Sequence, residues 1–361
     1  MPVFASTSEA VAARLDLFLS RMRAEQSDGA DAAAFLDHAA QTLQGGKRLR
    51  ARFCRTGWAA VTHHSAPDST EPDALWDLCA ALEIFQSAAL VHDDLIDNSD
   101  VRRGVPAAHR ALETAHRDAG WSGDAEAFGR SAAVLLGDLL VAWSDDLLEQ
   151  ALIAHPHASA VRTEYARMRR DVTLGQVLDI VEESAWNVHE AASHVERALR
   201  VASLKSARYS IEQPLILGAA LAGATDEQLK SLRAFGHPVG MAFQLRDDVL
   251  GVFGDSAVTG KPAGDDLREG KRTALIAVAR AGLTTDGRRE IDDLLGNPAL
   301  SDAQISALRS TITDTGALQA VETMISDYAD AADRALTDAP LDDAAVSDLR
   351  ELARAATTRS R

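Results

Sequence analysis

The amino-acid sequence predicts an all-α protein, and three observations carry that prediction. Apolar residues recur at three- and four-residue steps through most of the chain. No stretch shows strict two-residue alternation of β-branched residues. Two tetrads, Thr225-Asp226-Glu227-Gln228 and Ser301-Asp302-Ala303-Gln304, have the form of a capping box, in which a hydroxyl and a Gln side chain satisfy the first amides of a helix.

Taken in order, the period places an N-terminal helix on 9–22, then helices on 73–94, 128–152 and 317–336, and the two tetrads open two more. Breaks fall at 63–73, 116–126 and 251–270. The last carries glycine at 251, 254, 260, 264 and 270 between charges, so its backbone can approach a phosphate closely. The helices run on without a linker, which predicts a single domain over 1–361, with 1–30 as its N-terminal helical portion.

With 361 residues, 46% of them hydrophobic, the chain can fill one large core or two modest domains. Aromatics make up only 5%, so alanine, leucine and valine must do the packing. A formal net charge of −17 argues against a nucleic-acid or anionic-membrane surface, which needs a basic stripe to release counterions. Cys54 and Cys79 form no CxxC and no disulfide framework, as expected for a reduced, cytoplasmic setting. No basic segment followed by an apolar core opens the chain. No uninterrupted apolar run approaches the roughly 18–20 residues of a membrane span, so no transmembrane segment is expected.

The densest chemistry lies in "LVHDDLIDNSDVRRG" (90–104). Asp93 and Asp97 are one helical turn apart on one face, with Asp94 about 100° round. Carboxylates held so close repel, and a helix C-terminus, already negative, makes the repulsion worse. A hard cation between them resolves the conflict, and Mg²⁺ suits it. A solvated acidic helix end is the alternative, but Leu90, Val91, Leu95 and Ile96 make the flanks apolar. A second pair, Asp247 and Asp248, again ends an apolar helical stretch in "FQLRDDVLGVFGD" (243–255). Two such clusters read as facing walls of a metal-diphosphate site.

Basic counterparts exist. "GGKRLRAR" (45–52) sets Lys47, Arg48, Arg50 and Arg52 behind two glycines, a pattern suited to cradling an anion. Arg102 and Arg103 follow the first aspartates; Lys205 sits among apolar neighbours; Lys261 and Lys271 lie in the glycine-rich segment. The combination fits two diphosphates, one bridged by metal and one gripped by Lys and Arg, with apolar helices for a hydrocarbon tail.

These motifs resemble those of the trans-isoprenyl diphosphate synthases, the head-to-tail prenyltransferases, from about Gly45 to the C-terminus. The resemblance implies a helical bundle of the isoprenoid synthase type with a central hydrophobic cavity. It implies Asp93, Asp94, Asp97, Asp247 and Asp248 as ligands of two or three Mg²⁺ ions, with Mn²⁺ as a substitute. Lys47, Arg50, Gln86 and Arg103 would bind isopentenyl diphosphate (IPP). Arg102, Gln176 and Asp179 of "GQVLD", Lys205, Ser206, Gln244, Lys261 and Lys271 would contact the allylic diphosphate or line its pocket. Catalysis would rest on the first aspartates, Arg102, Lys205, Asp247 and Lys261, and no role falls to His92 or His109. The second motif departs from the family's DDxxD, because position 251 is Gly. A third carboxylate must come from elsewhere, Asp255 being a candidate, or be dispensed with.

The reaction implied is Mg²⁺-dependent condensation of IPP with an allylic diphosphate by a homodimer. The tail should run along the face carrying Asp93, past Ala88 and Ala89, where the family uses an aromatic residue to keep products short. Phe85 and Trp143 are candidates for the floor. Two alanines favour a C20 product, geranylgeranyl diphosphate, with C25 or longer, or C15, as alternatives. A class I terpene cyclase has no use for a second diphosphate site, and a non-catalytic partner subunit would be expected to lose aspartates or lysines that are present here.

Overall fold

A computed structural model describes residues 6–26, 28–66, 70–254 and 264–357. Lys261 and Asp255 therefore lie outside the described residues. The contacts divide the chain into two units, Met1–Arg55 with Asp68–Ala158, and Thr56–Pro67 with Ser159–Arg361.

In the first unit, α1 (Thr7–Glu25) starts at Ser6, whose hydroxyl accepts from the Glu9 amide. It is followed by α2 (Ala30–Thr42), the start of α3 (Leu49–Ser65) and α4 (Asp73–Ile96). α4 is apolar nearly all round, so it is buried, and it packs along α6 (Ala125–Ala151) and α1. Its length and composition are enough to cross a membrane, although polar interruptions keep any uninterrupted run short. Most of its apolar stretch is buried, as befits a core helix.

Gly137 explains how closely α4 and α6 approach. A Cβ there would stand 2.6 Å from His92 Cε1, so the missing side chain makes room for the imidazole, whose Nε2 lies 3.2 Å from the Val134 carbonyl. At the distal end, Trp143 of α6 meets Phe18 of α1 edge to face at 5.6 Å.

Between α4 and α5 (Ala108–Asp118) lies a hairpin too short to leave an alternation signal. Val101–Arg102 (β1) pairs antiparallel with Val105–Pro106 (β2). Its two loop residues, Arg103 (φ 53) and Gly104 (φ 78), are both left-handed, as a tight hairpin requires. Glycine does this freely; Arg103 does it at a cost of about 1–2 kcal/mol.

The second unit contains α7 (Ala158–Ala185) and α8 (His194–Val201), then a π-helical segment, Ala202–Glu212, and α9 (Gln213–Leu221). α10 (Asp226–Phe253) opens on the expected capping box at Thr225, and the helix that starts at Asp302 opens on the one at Ser301. The remaining helices are α11 (Asp265–Glu269), α12 (Ala274–Ala281), α13 (Thr285–Leu294), α14 (Asp302–Asp314), α15 (Ala317–Ala335) and α16 (Asp343–Thr357). Gly251, expected to begin a loop, is still helical, and α10 ends only at Gly254.

A run of i→i+5 geometry this long is unusual, and such segments concentrate at functional sites. Glycines let the neighbouring helices come close to it. A Cβ at Gly175 of α7 would stand 2.7 Å from Lys205 Cα, and one at Gly240 of α10 would stand 2.6 Å from Ala207 Cα.

Candidate active site

In the first unit the aspartates sit on the last turn of α4. Asp97 caps it, its amide donating to the Asp93 carbonyl at 2.8 Å. Asn98 follows with φ 53, and the Ser99 amide returns to the Asp94 carbonyl at 2.9 Å, closing a Schellman-type end. The hairpin then brings Arg102 back to the aspartates. Its Nε donates to Asp94 Oδ1 at 2.8 Å, and its NH2 bonds Asp94 and lies 3.5 Å from Asp93 Oδ2. Asp94 is buried and Asp93 and Asp97 are half-buried, so the Arg102 guanidinium offsets carboxylate charge at a partly desolvated site.

The same hairpin carries Arg103 to the glycine-rich turn before α3. Gly45 (φ 69) and Gly46 (φ 86) are left-handed, and the Arg103 guanidinium covers Gly46 so closely that a Cβ would stand 3.1 Å from both terminal nitrogens. Arg103 NH1 also reaches the Gln44 carbonyl at 3.5 Å. Although Arg103 is an exposed residue, its guanidinium end is tucked in. Burial of that end, then the guanidiniums of Arg48 and Arg102, hold it below the usual arginine range; Glu83 opposes this and Arg50 adds to it. Four guanidiniums crowded together in this way have the chemistry to accept an anion.

Arg48 has an internal task. It is buried with φ 49, donates to the Leu43 carbonyl at 2.6 Å and reaches Glu83 of α4 at 3.5 Å. Glu83, also buried, accepts from the Ala51 amide at 3.2 Å, tying the first turn of α3 to α4. Sequence reasoning missed this pair. A lone Glu inside the apolar run of α4 was the available signal, because a buried charge must have a partner. Lys47 is exposed, and Arg50 and Gln86 are half-buried in the same unit. Of the two chain-length candidates, Ala88 is buried while Ala89, one turn before Asp93 on the same face, is half-buried. Phe85 and Trp143 are both buried. His109 is buried 3.7 Å from Asp100, and burial, then Arg110, pushes its pKa down.

In the second unit the close contact at Gly175 sets Asp179 beside the π-helical segment, and Lys205 Nζ donates to Asp179 Oδ2 at 2.6 Å. Ser206 follows, half-buried. The amide nitrogen of Gln176 is buried and finds no hydrogen-bond partner among the described residues, which leaves a donor over. On α10, Asp247 is exposed whereas Asp248 is buried, held by Gln244 Nε2 at 2.7 Å. Burial pushes the Asp248 carboxyl well above the usual carboxylate range; the Gln244 hydrogen bond opposes this, while Asp266, Asp247 and Asp179 reinforce it. Lys271 lies 3.1 Å from Glu269, and its amide donates to the Asp266 carbonyl.

This crowding of acids fits a divalent cation. Among the described residues no three His, Cys, Asp or Glu side chains are gathered into a ready-made cage. Mg²⁺ keeps several waters and substrate oxygens in its shell, so one or two carboxylates are enough to hold it.

Residues 33–312 match the family model for polyprenyl synthetases. The chain belongs to the polyprenyl synthetase family. It is a trans-prenyltransferase of the prenyl diphosphate synthase class, a magnesium-dependent family. Among solved structures it is similar to geranylgeranyl pyrophosphate synthase from Corynebacterium glutamicum complexed with isoprenyl diphosphate and magnesium. The TM-score is 0.91 at 39% identity, covering 98% of this chain and 99% of that one. Geranylfarnesyl diphosphate synthase of Aeropyrum pernix is 34% identical over 278 residues, 76% of this chain and 79% of the relative. Geranylgeranyl diphosphate synthase of Sulfolobus acidocaldarius is 30% identical over 263 residues, 72% of this chain and 71% of the relative. The all-α fold agrees with this synthase family. Within each unit the synthase brings its motif residues together: Arg102 with Asp93 and Asp94, Arg103 with Gly45–Gly46, and Lys205 with Asp179.

Proposed function

We propose that this synthase condenses IPP head-to-tail with allylic diphosphates and releases mainly geranylgeranyl diphosphate. The observation that supports it most is the arginine cluster at Gly45–Gly46: a basic grip suited to a diphosphate, in the same unit as an aspartate pair suited to metal. A terpene cyclase has no use for that second grip. Lys47, Arg50, Gln86 and Arg103 hold IPP. Arg102, Gln176, Asp179, Lys205, Ser206, Gln244, Lys261 and Lys271 serve the allylic substrate. Asp93, Asp94, Asp97, Asp247 and Asp248 hold two or three Mg²⁺ ions, which when bound neutralise charge on the leaving diphosphate.

The allylic C–O bond breaks with its electron pair leaving on the diphosphate. The IPP double bond forms the new C–C bond, and the proton lost passes to the departing diphosphate. Lys205, Lys261 and Arg102 balance the developing negative charge, and apolar walls keep water from the cation. The working assembly is a homodimer in a cytoplasmic setting; light scattering showing only monomer at micromolar concentration counts against the dimer.

The test is incubation with labelled IPP, dimethylallyl diphosphate and Mg²⁺. Longer butanol-extractable diphosphates should form, stop with EDTA, and vanish in Asp93→Ala with helicity retained. No such product refutes the reading. Chromatography of dephosphorylated products should give a main C20 peak; a main C25 peak favours the geranylfarnesyl alternative. Ala89→Phe should shorten the product, because a ring on the half-buried face one turn before Asp93 takes the space of an isoprene unit. An unchanged product in a folded variant shows that the tail runs elsewhere.

A further inference from the structure

The second aspartate motif lacks its last carboxylate because position 251 is Gly, and the structure explains why Gly is needed there. A Cβ built on Gly251 would fall inside the carboxylate of Asp266; even the more distant oxygen, Oδ1, lies 2.8 Å away. α10 is still helical at Gly251, so that Cβ points from the same helix as Asp247, four residues earlier and on the same face. The space a side chain at 251 would enter is filled by a carboxylate delivered from α11. We propose that Asp266 supplies the third carboxylate of the second metal motif, and that Gly251 is the space left for it. This rests on the prenyl diphosphate synthase reading given above and deepens it at one position.

Local structure shows how Asp266 is held there. Gly264 (φ 76) and Gly270 (φ 79) bracket α11 in left-handed conformations. The Asp266 carbonyl accepts from both the Gly270 and Lys271 amides at 3.1 Å, so the backbone is fixed at this residue independently of its carboxylate. The buried Leu267 anchors the next position. The segment that carries Lys271 therefore also carries Asp266 onto α10. Asp255, the sequence's own candidate for the replacement, lies outside the described residues.

The two possible roles of Asp266 have opposite signatures. A structural carboxylate stabilises the metal-free protein; a metal ligand crowded by other acids destabilises it and contributes only when the cation is present. The experiment compares wild type, Asp266→Asn, Gly251→Asp and the exchange variant Gly251→Asp/Asp266→Gly. It reads Tm without metal, the Tm rise with Mg²⁺ and inorganic diphosphate, and Mn²⁺ binding by EPR. Asp266→Asn should melt no lower than wild type without metal, show a smaller Mg²⁺-diphosphate shift, and bind Mn²⁺ roughly tenfold or more weakly at one site. Gly251→Asp alone should lose the shift, because the new side chain displaces Asp266. The exchange variant should regain much of it. An Asp266→Asn protein with the wild-type Mg²⁺ shift and Mn²⁺ affinity overturns the proposal, as does one that melts lower without metal and keeps the shift. So does an exchange variant, folded by circular dichroism, that recovers nothing. If wild type itself shows no Mg²⁺-diphosphate shift and no condensation, the functional reading fails first and takes this inference with it.

Discussion

Glu83→Gln removes one charge and almost no volume from the floor of the arginine cluster. In the wild type Glu83 Oε2 lies 3.5 Å from Arg48 NH1, and Oε1 accepts from the Ala51 amide at 3.2 Å, with both side chains buried. Removing one partner of a buried pair typically costs about 3–5 kcal/mol, because the other charge stays buried without compensation. Here the ion pair is long, the Gln oxygen can still accept from Ala51, and Arg48 keeps the Leu43 carbonyl, so the low end, about 3 kcal/mol, is expected. At roughly 2 cal/mol/K of unfolding entropy per residue, a chain of 361 residues should lose about 4 °C in Tm. The loss has a second signature. Glu83 is the carboxylate that opposes mutual repulsion at Arg103, so without it Arg48, Arg50, Arg102 and Arg103 repel with less compensation. Inorganic diphosphate should therefore raise the Tm of Glu83→Gln by more than it raises that of wild type. Differential scanning fluorimetry with and without diphosphate, in the absence of metal, measures this effect. Equal melting temperatures with equal diphosphate shifts would refute the idea that Glu83 organises an anion site.

Two further substitutions test the packing and the electrostatics. Gly175→Ala, which on an exposed helix would stabilise by up to about 1 kcal/mol, should instead destabilise by about 1–3 kcal/mol in urea unfolding. Its Cβ meets main-chain atoms, Lys205 Cα at 2.7 Å and Leu204 C at 2.8 Å, which cannot rotate away; a stabilised protein refutes that contact. Asp77, buried beside Arg14, is raised to about 6 by burial, with Arg14 opposing. Its folded-state pKa thus exceeds the usual value of 3.8, so folding takes up a proton between them, and its contribution is most favourable below that window and is lost as pH rises through about 6. The stability of wild type relative to Asp77→Asn should fall from pH 4 to pH 7; a flat difference contradicts the raised pKa.

The parts of this site that depend on neighbours in sequence were legible from sequence. Asp93, Asp94 and Asp97 share a turn, the cap at Asp97–Asn98 follows from them, and both capping boxes formed as written. What was hidden depends on residues far apart in the chain. The π-helical segment has no compositional mark in "ASLKSARYSIE"; its geometry goes with helices brought close at Gly175 and Gly240. The hairpin at 101–106 has two-residue strands, below the length at which alternation can register. Gly251 reads as a lost ligand or a loop start until Asp266, fifteen positions on, is seen in its place. In each case a glycine or an isolated charge was visible and its partner was not.

The charge pattern accounts for how so acidic a chain can bind diphosphate. Its formal charge of −17 belongs to the whole surface, and beyond about 10 Å salt screens most of it. Binding is decided within that radius, where like charges are gathered by local backbone features: a left-handed Arg103 in the hairpin, a left-handed Arg48 before α3, and glycines that admit guanidinium or carboxylate against the main chain. Arg102 belongs to both signs at once. It compensates Asp93 and Asp94 while adding to the repulsion at Arg103. A cation at the aspartates and an anion at the arginines would each remove one of those conflicts, and either alone would leave Arg102 with an unbalanced neighbour. The arrangement therefore favours holding both together, which is the requirement of an enzyme that joins two diphosphate substrates and uses a metal to release only one of the diphosphates.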